Sequence, residues 1–325
     1  MSDSPLLDMH GVWKSFAWGK QRIDAVRDVS LTIREAETFG LVGESGSGKS
    51  TLGRLAIALT KPDRGSVRVS GIDVGTLGAH QRRMLRTTAQ IAFQDPAAAL
   101  NTRASVATNI MEPLMVHNVG TREERLRRVA DLLERVGLTS AHGPVLPDEL
   151  SGGQLQRVMI ARALALGPKL LVCDEILSAL DLSVQAQVLS LLDDLRRTEA
   201  LSFLFISHNL SAVCYLSDII GVMYLGELVE QAPTDAILTK PRHPYTKALF
   251  QSILEMPESK ASRKPLVALP GEVPSAIERP RGCAFHTRCP LAMDICRIEA
   301  PTLVQVGERH QVACHLVGKA AEDHH

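Results

Sequence analysis

Gly43-Glu44-Ser45-Gly46-Ser47-Gly48-Lys49-Ser50-Thr51 places Gly43, Gly48, Lys49 and Ser50 at the fixed positions of the G-x-x-x-x-G-K-[ST] phosphate-binding pattern. The run Thr38-Phe39-Gly40-Leu41-Val42 ahead of it predicts a buried strand, and Leu52 to Leu59 behind it has the apolar spacing of a helix. Strand, loop and helix in that order are the context in which this pattern binds a nucleotide. A triphosphate carries several negative charges, so the loop must offer many donors at short range. Glycines at 43, 46 and 48 let successive backbone N–H groups turn inward, at the positive end of the helix that follows. Lys49 brings a full positive charge to the outer phosphates. The Ser50 hydroxyl suits Mg²⁺, a hard cation that prefers oxygen ligands.

The 325 residues predict about two domains with a substantial core. Aromatic residues make up 4% of a chain that is 45% hydrophobic, so that core must be mostly Leu, Val, Ile and Ala. Lys plus Arg and Asp plus Glu number 36 each, which leaves no global basic field of the kind a nucleic-acid binder shows. The cluster Arg122, Arg125, Arg127 and Arg128 is interleaved with Glu123 and Glu124 and reads as a solvated helix face. Asp3 and Asp8 stand where a basic-then-apolar leader would lie, and no uncharged apolar run approaches the length of a bilayer span. These features predict a soluble chain in the cytoplasm that reaches a membrane only through a partner.

Residues 6–37 alternate in short apolar and polar runs, with Gly11-Val12-Trp13 and Leu31-Thr32-Ile33 as strand candidates of an antiparallel edge sheet. Phe16 and Trp18 are placed in its first turn, where either ring can stack on an adenine or simply pack on the sheet. Residues 61–75 predict a further hairpin. A polar helix from Gln81 to Arg86 leads into the strand Ala89 to Phe93. Gln94 closes that strand ahead of Asp95-Pro96, which puts an amide at the sheet edge within reach of Mg²⁺ or of a neighbour. Helical spacing dominates from Ala97 to Gly167, with helices predicted over Val106 to Val116 and Arg122 to Val136 and a stop at Gly137. Leu150-Ser151-Gly152-Gly153-Gln154 then precedes a helix from Leu155 to Leu166. Ser151 is a good N-cap, and the two glycines expose backbone N–H groups at a helix start, a second anion site.

Leu170-Leu171-Val172-Cys173 predicts another buried strand, and it ends in Asp174-Glu175. Carboxylates at the carboxyl end of a parallel strand sit where open α/β folds bind ligands. Asp174 suits Mg²⁺ through a water, and Glu175 suits polarisation of an attacking water. Ser178-Ala179-Leu180-Asp181 caps a helix from Val184 to Arg197. The strand Leu201 to Ile206 delivers Ser207 and His208 to the same sheet edge.

The order of these motifs resembles that of ATP-binding-cassette ATPases over residues 6 to about 255. The resemblance implies an α/β P-loop NTPase fold with a mostly parallel core sheet, an antiparallel β subdomain and a helical subdomain at about 97–167, followed by a small Cys-rich domain at 256–325. It implies ATP held by residues 43–51 (Gly43, Glu44, Ser45, Gly46, Ser47, Gly48, Lys49, Ser50 and Thr51), with Mg²⁺ at Ser50, Gln94 and Asp174. By the same resemblance Phe16 is the adenine-stacking aromatic with Trp18 as its substitute, Glu175 the general base and His208 the γ-phosphate sensor. Gln94 looks like the lid residue that meets Mg²⁺ and a transmembrane partner, and Asp181 like the residue that communicates across a dimer. Ser151, Gly152, Gly153 and Gln154 would face the ATP of an opposing cassette. Ile176, Thr102 and Asn209 depart from the family's usual Pro, Pro and Asp, and Ile176 leaves the turn that aims Glu175 less constrained.

Arg242-His243-Pro244-Tyr245-Thr246-Lys247-Ala248-Leu249, Leu269-Pro270-Gly271-Glu272-Val273-Pro274 and Gly282-Cys283-Ala284-Phe285-His286-Thr287-Arg288-Cys289-Pro290 look like the tail of oligopeptide, dipeptide and nickel importer ATPases. That narrower resemblance implies a peripheral subunit on the cytoplasmic face of the cell membrane. Its implied partners are a second cassette of different sequence, two permease subunits and an extracytoplasmic solute-binding protein. Four of the six cysteines, Cys283, Cys289, Cys296 and Cys314, crowd into this tail. Disulfides are disfavoured in the cytoplasm, so clustered thiols point to a soft-metal site, and the spacings are not the C-x₂-C of a zinc ribbon. Cys₄ ligation fits the [4Fe-4S] centre known in some members of the group, with zinc as the alternative and reduced buried thiols as the third reading. Cys173 and Cys214 read as core residues.

Overall fold

The structure is a computed structural model that describes residues 4–19, 21–254, 271, 272, 274, 275, 277 and 279–317. Leu269, Pro270 and Val273 of the second tail motif, Asp3, and the expected domain boundary at 256 lie outside the described residues. The chain opens with a long hairpin, β1 (Leu7–Trp18) and β2 (Gln21–Ile33), joined to β4 (Arg64–Val69) and β5 (Ile72–Asp73) in a four-stranded antiparallel sheet of order β2-β1-β4-β5. Phe16 and Trp18 are not in a turn: both belong to β1 and pair with Ile23 and Gln21. The pairing of β1 with β2 continues as far as Trp18 and Gln21, which keeps both rings on an extended strand.

Between those strands come β3 (Thr38–Val42) and α1 (Lys49–Ala56), which starts at the lysine of the glycine-rich loop. After them α2 (Ala79–Thr88) leads into β6 (Ala89–Ala92), then α3 (Pro96–Ala99), α4 (Val106–Val116), α5 (Arg122–Arg135) and α6 (Gly152–Leu164) build the expected helical region. Each long helix there starts on a capping side chain, Ser105, Thr121 or Ser151, whose oxygen accepts a backbone N–H of the first turn. The second half alternates strand and helix: β7 (Leu170–Asp174), α7 (Leu182–Glu199), β8 (Ser202–Ile206), α8 (Leu210–Leu216) and β9 (Ile219–Tyr224). It closes with β10 (Glu227–Pro233), α9 (Thr234–Thr239), α10 (Pro244–Leu254), α11 (Asp294–Ile298), β11 (Val304–Gly307) and β12 (His310–Val312).

The main sheet has eight strands in the order β11-β12-β10-β9-β3-β8-β7-β6. Strands β9, β3, β8, β7 and β6 run parallel, as expected, while β10, β12 and β11 extend the sheet antiparallel. Every residue of β3, β7, β8 and β9 is buried, which is why β3, β7 and β8 read as mainly apolar runs; β9 is not among the expected strands. The cysteine-bearing tail thus adds two strands to the sheet that carries the glycine-rich loop. Its attachment is a buried polar knot. Glu230 on β10, fully buried, accepts from the backbone N–H groups of Arg242 and His243 at 2.8 and 2.9 Å and pairs with His310 Nε2 on β12 at 2.7 Å. Neighbouring His243 accepts the Tyr245 N–H at Nδ1, and burial pushes its ring down to about 3, so it stays neutral.

Candidate nucleotide site

The loop after β3 curls as its glycines require. Gly43 and Gly48 have φ of 150° and 100°, and a Cβ on either would stand 2.2 and 2.1 Å from the carbonyl oxygens of Met223 and Ala25. Those neighbours belong to β9 and β2, so both sheets press on the loop. Gly226 N–H also donates to Ser47 O at 3.0 Å, and Arg27 N–H to Gly226 O at 2.8 Å. An open cleft of about 290 Å³ results, lined by Ala25, residues 45–51, Gln94 and Glu175.

Lys49 is 5% exposed, and its Nζ donates to Gly43 O at 2.8 Å, Glu44 O at 2.9 Å and Ser47 Oγ at 3.3 Å. Burial holds its ammonium below the ordinary lysine range, and the charges of Glu175, Asp174 and Glu44 pull it partly back. The Ser50 hydroxyl donates to Asp174 Oδ1 at 2.8 Å. Burial raises the Asp174 carboxyl, the Ser50 bond lowers it, and adjacent Glu175 raises it again. Two hard oxygen donors meeting at the end of β7 fit a divalent cation bridged to phosphate.

Gln94 and Glu175 meet: Gln94 Nε2 donates to Glu175 Oε2 at 3.1 Å, and His208 Nδ1 stands 3.7 Å from the same oxygen. Glu175 adopts φ of 52°, in the left-handed region, and the strain is held by its N–H on Ile206 O and by Ser178, whose N–H and hydroxyl both donate to Glu175 O. Ile176 is buried at 2% exposure, so the turn is fixed by packing and hydrogen bonds without a proline. Asn209 also has a defined role. It caps α8 and donates from Nδ2 to Gln185 Oε1 at 3.0 Å, while Gln185 Nε2 donates to Leu177 O and Leu180 O. This ties the segment after β8 to the segment carrying Asp181.

Not every expected ligand reaches the cleft. Ser151 caps α6 by accepting the Gln154 N–H, and Gln154 answers by accepting the Ser151 N–H and contacting His142 Nε2 at 3.3 Å. Gly153 packs so tightly on α7 that a Cβ would lie 2.5 Å from Val184 Cγ1. Exposed Asp181 caps α7, accepting from Val184 N–H and the Ser183 hydroxyl, which hold its carboxyl below the usual range. Within this chain, residues 151–154 and Asp181 do not line the cleft that holds Lys49. Glu44 does not line it either: its N–H donates to Tyr245 Oη at 3.1 Å and its carboxylate receives Arg288. Tyr245, Arg288 and Gln185 are supports that sequence reasoning passed over, since their partners lie far along the chain or in loops of ordinary composition.

The tail thiols are all free, with Cys296 buried and Cys283, Cys289 and Cys314 half-buried. Burial pushes the thiol of Cys283 up to about 11, and Cys296, Cys314 and Cys289 add to the rise. Burial raises Cys289 and Cys314 as well. Among the described residues, however, no three His, Cys, Asp or Glu side chains are grouped to hold one metal ion. As they stand, the thiols of Cys283, Cys289, Cys296 and Cys314 therefore show neither the expected [4Fe-4S] site nor a zinc site. Cys173 is fully buried in β7, as a core residue should be. No helix among the described residues is long and apolar enough to cross a membrane.

Residues 26–178 match the ABC transporter family, and residues 229–296 match the oligopeptide/dipeptide transporter C-terminal region. The chain is 47% identical over 319 residues, 97% of each chain, to the putative oligopeptide transport ATP-binding protein YkfD of Bacillus subtilis. It is 44% identical over 295 residues, 90% of each chain, to the oligopeptide transport ATP-binding protein AppF of the same organism. Among solved structures it resembles the ATP-binding cassette MJ0796 in a dimeric post-hydrolysis state bound to ADP and Pi, with a TM-score of 0.64 and 28% identity over 70% of this chain and 98% of that one. With Lys49, Ser50–Asp174 and Gln94–Glu175 at one sheet edge and relatives matched over nearly their whole length, the chain belongs to the ABC transporter family of ATPases, in the group that carries the oligopeptide/dipeptide transporter C-terminal region.

Proposed function

We propose that this chain hydrolyses ATP to drive import of di- or oligopeptides, or a related small solute such as nickel, through separate permease subunits. The single observation that carries the reading is one cleft lined by Lys49, Ser50, Gln94 and Glu175, with Asp174 hydrogen-bonded to Ser50 and His208 beside Glu175. Residues 45–51 cradle the phosphates, and Phe16 on β1 is assigned to the adenine ahead of Trp18, because it directly follows Ser15, which pairs with Asp24 next to the Ala25 that Gly48 packs on. Mg²⁺ bound with the nucleotide supplies charge neutralisation at the outer phosphates. Ser50 and Asp174 would hold it there, while Glu175 would orient the attacking water and accept its proton and His208 would read the γ-phosphate.

Ser151 to Gln154 are assigned to the nucleotide of an opposing cassette, since they stand apart from this chain's own cleft, and cassette MJ0796 is dimeric in its solved structures. The names of the relatives, oligopeptide transport and peptide import ATP-binding proteins, support a peptide as cargo. An import role would in turn require a second cassette, two permeases, an extracytoplasmic solute-binding protein and a peripheral position at the inner face of the membrane. The balanced charge gives no support to a cassette that works on nucleic acid or ribosomes. Uptake of a labelled dipeptide by cells lacking this chain is the test. Wild-type chain restores uptake and Glu175→Gln does not; equal uptake with and without the chain refutes the peptide assignment.

For the tail, four cysteines in one short segment match the Cys₄ ligand set of a [4Fe-4S] cluster, which we keep ahead of zinc as the reading to test, although no three of them are grouped around one ion among the described residues. Iron and sulfide determination on protein purified without oxygen tests this. Stoichiometric iron and sulfide support it, and metal-free protein with fully titratable thiols removes it.

A further inference from the structure

Glu44 is an acidic residue inside a loop whose task is to receive a polyanion. All its polar groups are committed. Its carbonyl takes Lys49 Nζ at 2.9 Å, its N–H donates to Tyr245 Oη at 3.1 Å, and its carboxylate is gripped by both ends of the Arg288 guanidinium, Nη1 to Oε2 at 2.8 Å and Nη2 to Oε1 at 3.1 Å. Arg288 lies 244 positions away, in the tail between Cys283 and Cys289, and is 6% exposed. Its Nη1 also donates to Tyr224 Oη at 3.4 Å.

Behind this pair stands a dry aromatic wedge. Tyr224, Tyr245 and Phe285 are at most 1% exposed, with ring centroids 4.9 to 5.3 Å apart. A second arginine of the tail, Arg279, donates to Leu225 O at 2.7 Å, next to the Gly226 N–H that supports Ser47. A forked, two-bond contact fixes orientation as well as charge, which an ammonium would not do. An uncompensated carboxylate in the loop would repel the triphosphate and draw Lys49 toward itself.

We propose that Arg288 is a positioning residue for nucleotide binding: it neutralises Glu44 and locks it against the aromatic wedge, so the tail is a working part of the phosphate site. This rests on the nucleotide reading above. It explains why the tail strands join the sheet that carries the loop and do not form a detached appendage.

The test is a double-mutant cycle on the full chain with its partner subunits, read as Mg·ATP affinity by displacement of a fluorescent trinitrophenyl-ATP and as the KM and kcat of ATP hydrolysis. Arg288→Ala raises the Kd and KM for Mg·ATP about tenfold, within the usual range of site-to-site coupling, while kcat at saturating ATP changes little. Adding Glu44→Ala to Arg288→Ala removes the stray charge and restores most of the affinity, an outcome that simple loss of tail packing does not give. Should Arg288→Ala fail to fold, Arg288→Gln, which fills more of the site, carries the same expectation. Wild-type affinity in the Arg288 variants, or a double variant no better than the single one, overturns the proposal and leaves the nucleotide reading intact. A wild-type assembly that binds no Mg·ATP overturns both.

Discussion

Gln94 donates from Nε2 to Glu175 Oε2 at 3.1 Å, so the residue after β6 holds the carboxylate after β7. His208, after β8, stands 3.7 Å from the same oxygen. Three adjacent strand ends of the parallel sheet thus bear on one atom. An ionised carboxylate has about four acceptor sites, so the Gln94 amide orients Glu175 and leaves it free to accept from a water as well.

Lys49→Ala removes a buried ammonium at the loop's centre. Hydrogen bonds to a charged group contribute about 1.5–3 kcal/mol each, so Mg·ATP affinity falls by at least about tenfold. Calorimetric titration of wild type and variant reads this. An unchanged Kd would remove Lys49 from the site.

Asp174→Asn tests the electrostatics of the Mg²⁺ position through stability. Burial raises this carboxyl, so the folded state holds a proton more firmly than the unfolded chain and ionised Asp174 destabilises the apo protein at neutral pH. The Asn variant therefore melts no lower than wild type at pH 7, and any advantage shrinks as pH falls through the raised carboxyl's range and both side chains become neutral. Turnover in the variant needs more Mg²⁺. Thermal melts across pH and a Mg²⁺ titration of ATPase rate check the two halves.

Phe16→Ala lowers ATP affinity by about 1 kcal/mol, the scale of one ring stack, whereas Trp18→Ala leaves it unchanged. Phe16 is 43% exposed and Trp18 69%, so neither change disturbs a core. Equilibrium binding of ATP to both variants decides between the rings, and a larger loss at Trp18 reverses the assignment.

Glu230→Ala strips the acceptor from two backbone N–H groups and His310 at a fully buried position, and removing one partner of such a pair costs about 3 kcal/mol. Urea unfolding of the full chain reads the loss. A change below about 0.5 kcal/mol would mean that the knot between β10 and β12 does not anchor the tail.

The parts legible in the sequence are those whose physics is local. β3, β7 and β8 read as mainly apolar runs because both faces are buried. α4 and α5 were legible from their helical spacing and start where expected, at Val106 and Arg122. The strand position of Phe16 and Trp18 was hidden because the pairing of β1 with β2 continues to the hairpin tip. β10 and β12 were harder still: a buried Glu230 makes sense only once Arg242, His243 and His310 are known to surround it. The Arg288–Glu44 contact spans 244 positions, and nothing at either end signals the other.

The most direct test of the account is the rate of phosphate release from Mg·ATP by the assembled transporter carrying Glu175→Gln. A general base contributes on the order of 10² to 10⁴ in rate, so the account predicts turnover reduced by that factor with ATP still bound. Wild-type turnover in Glu175→Gln would contradict it.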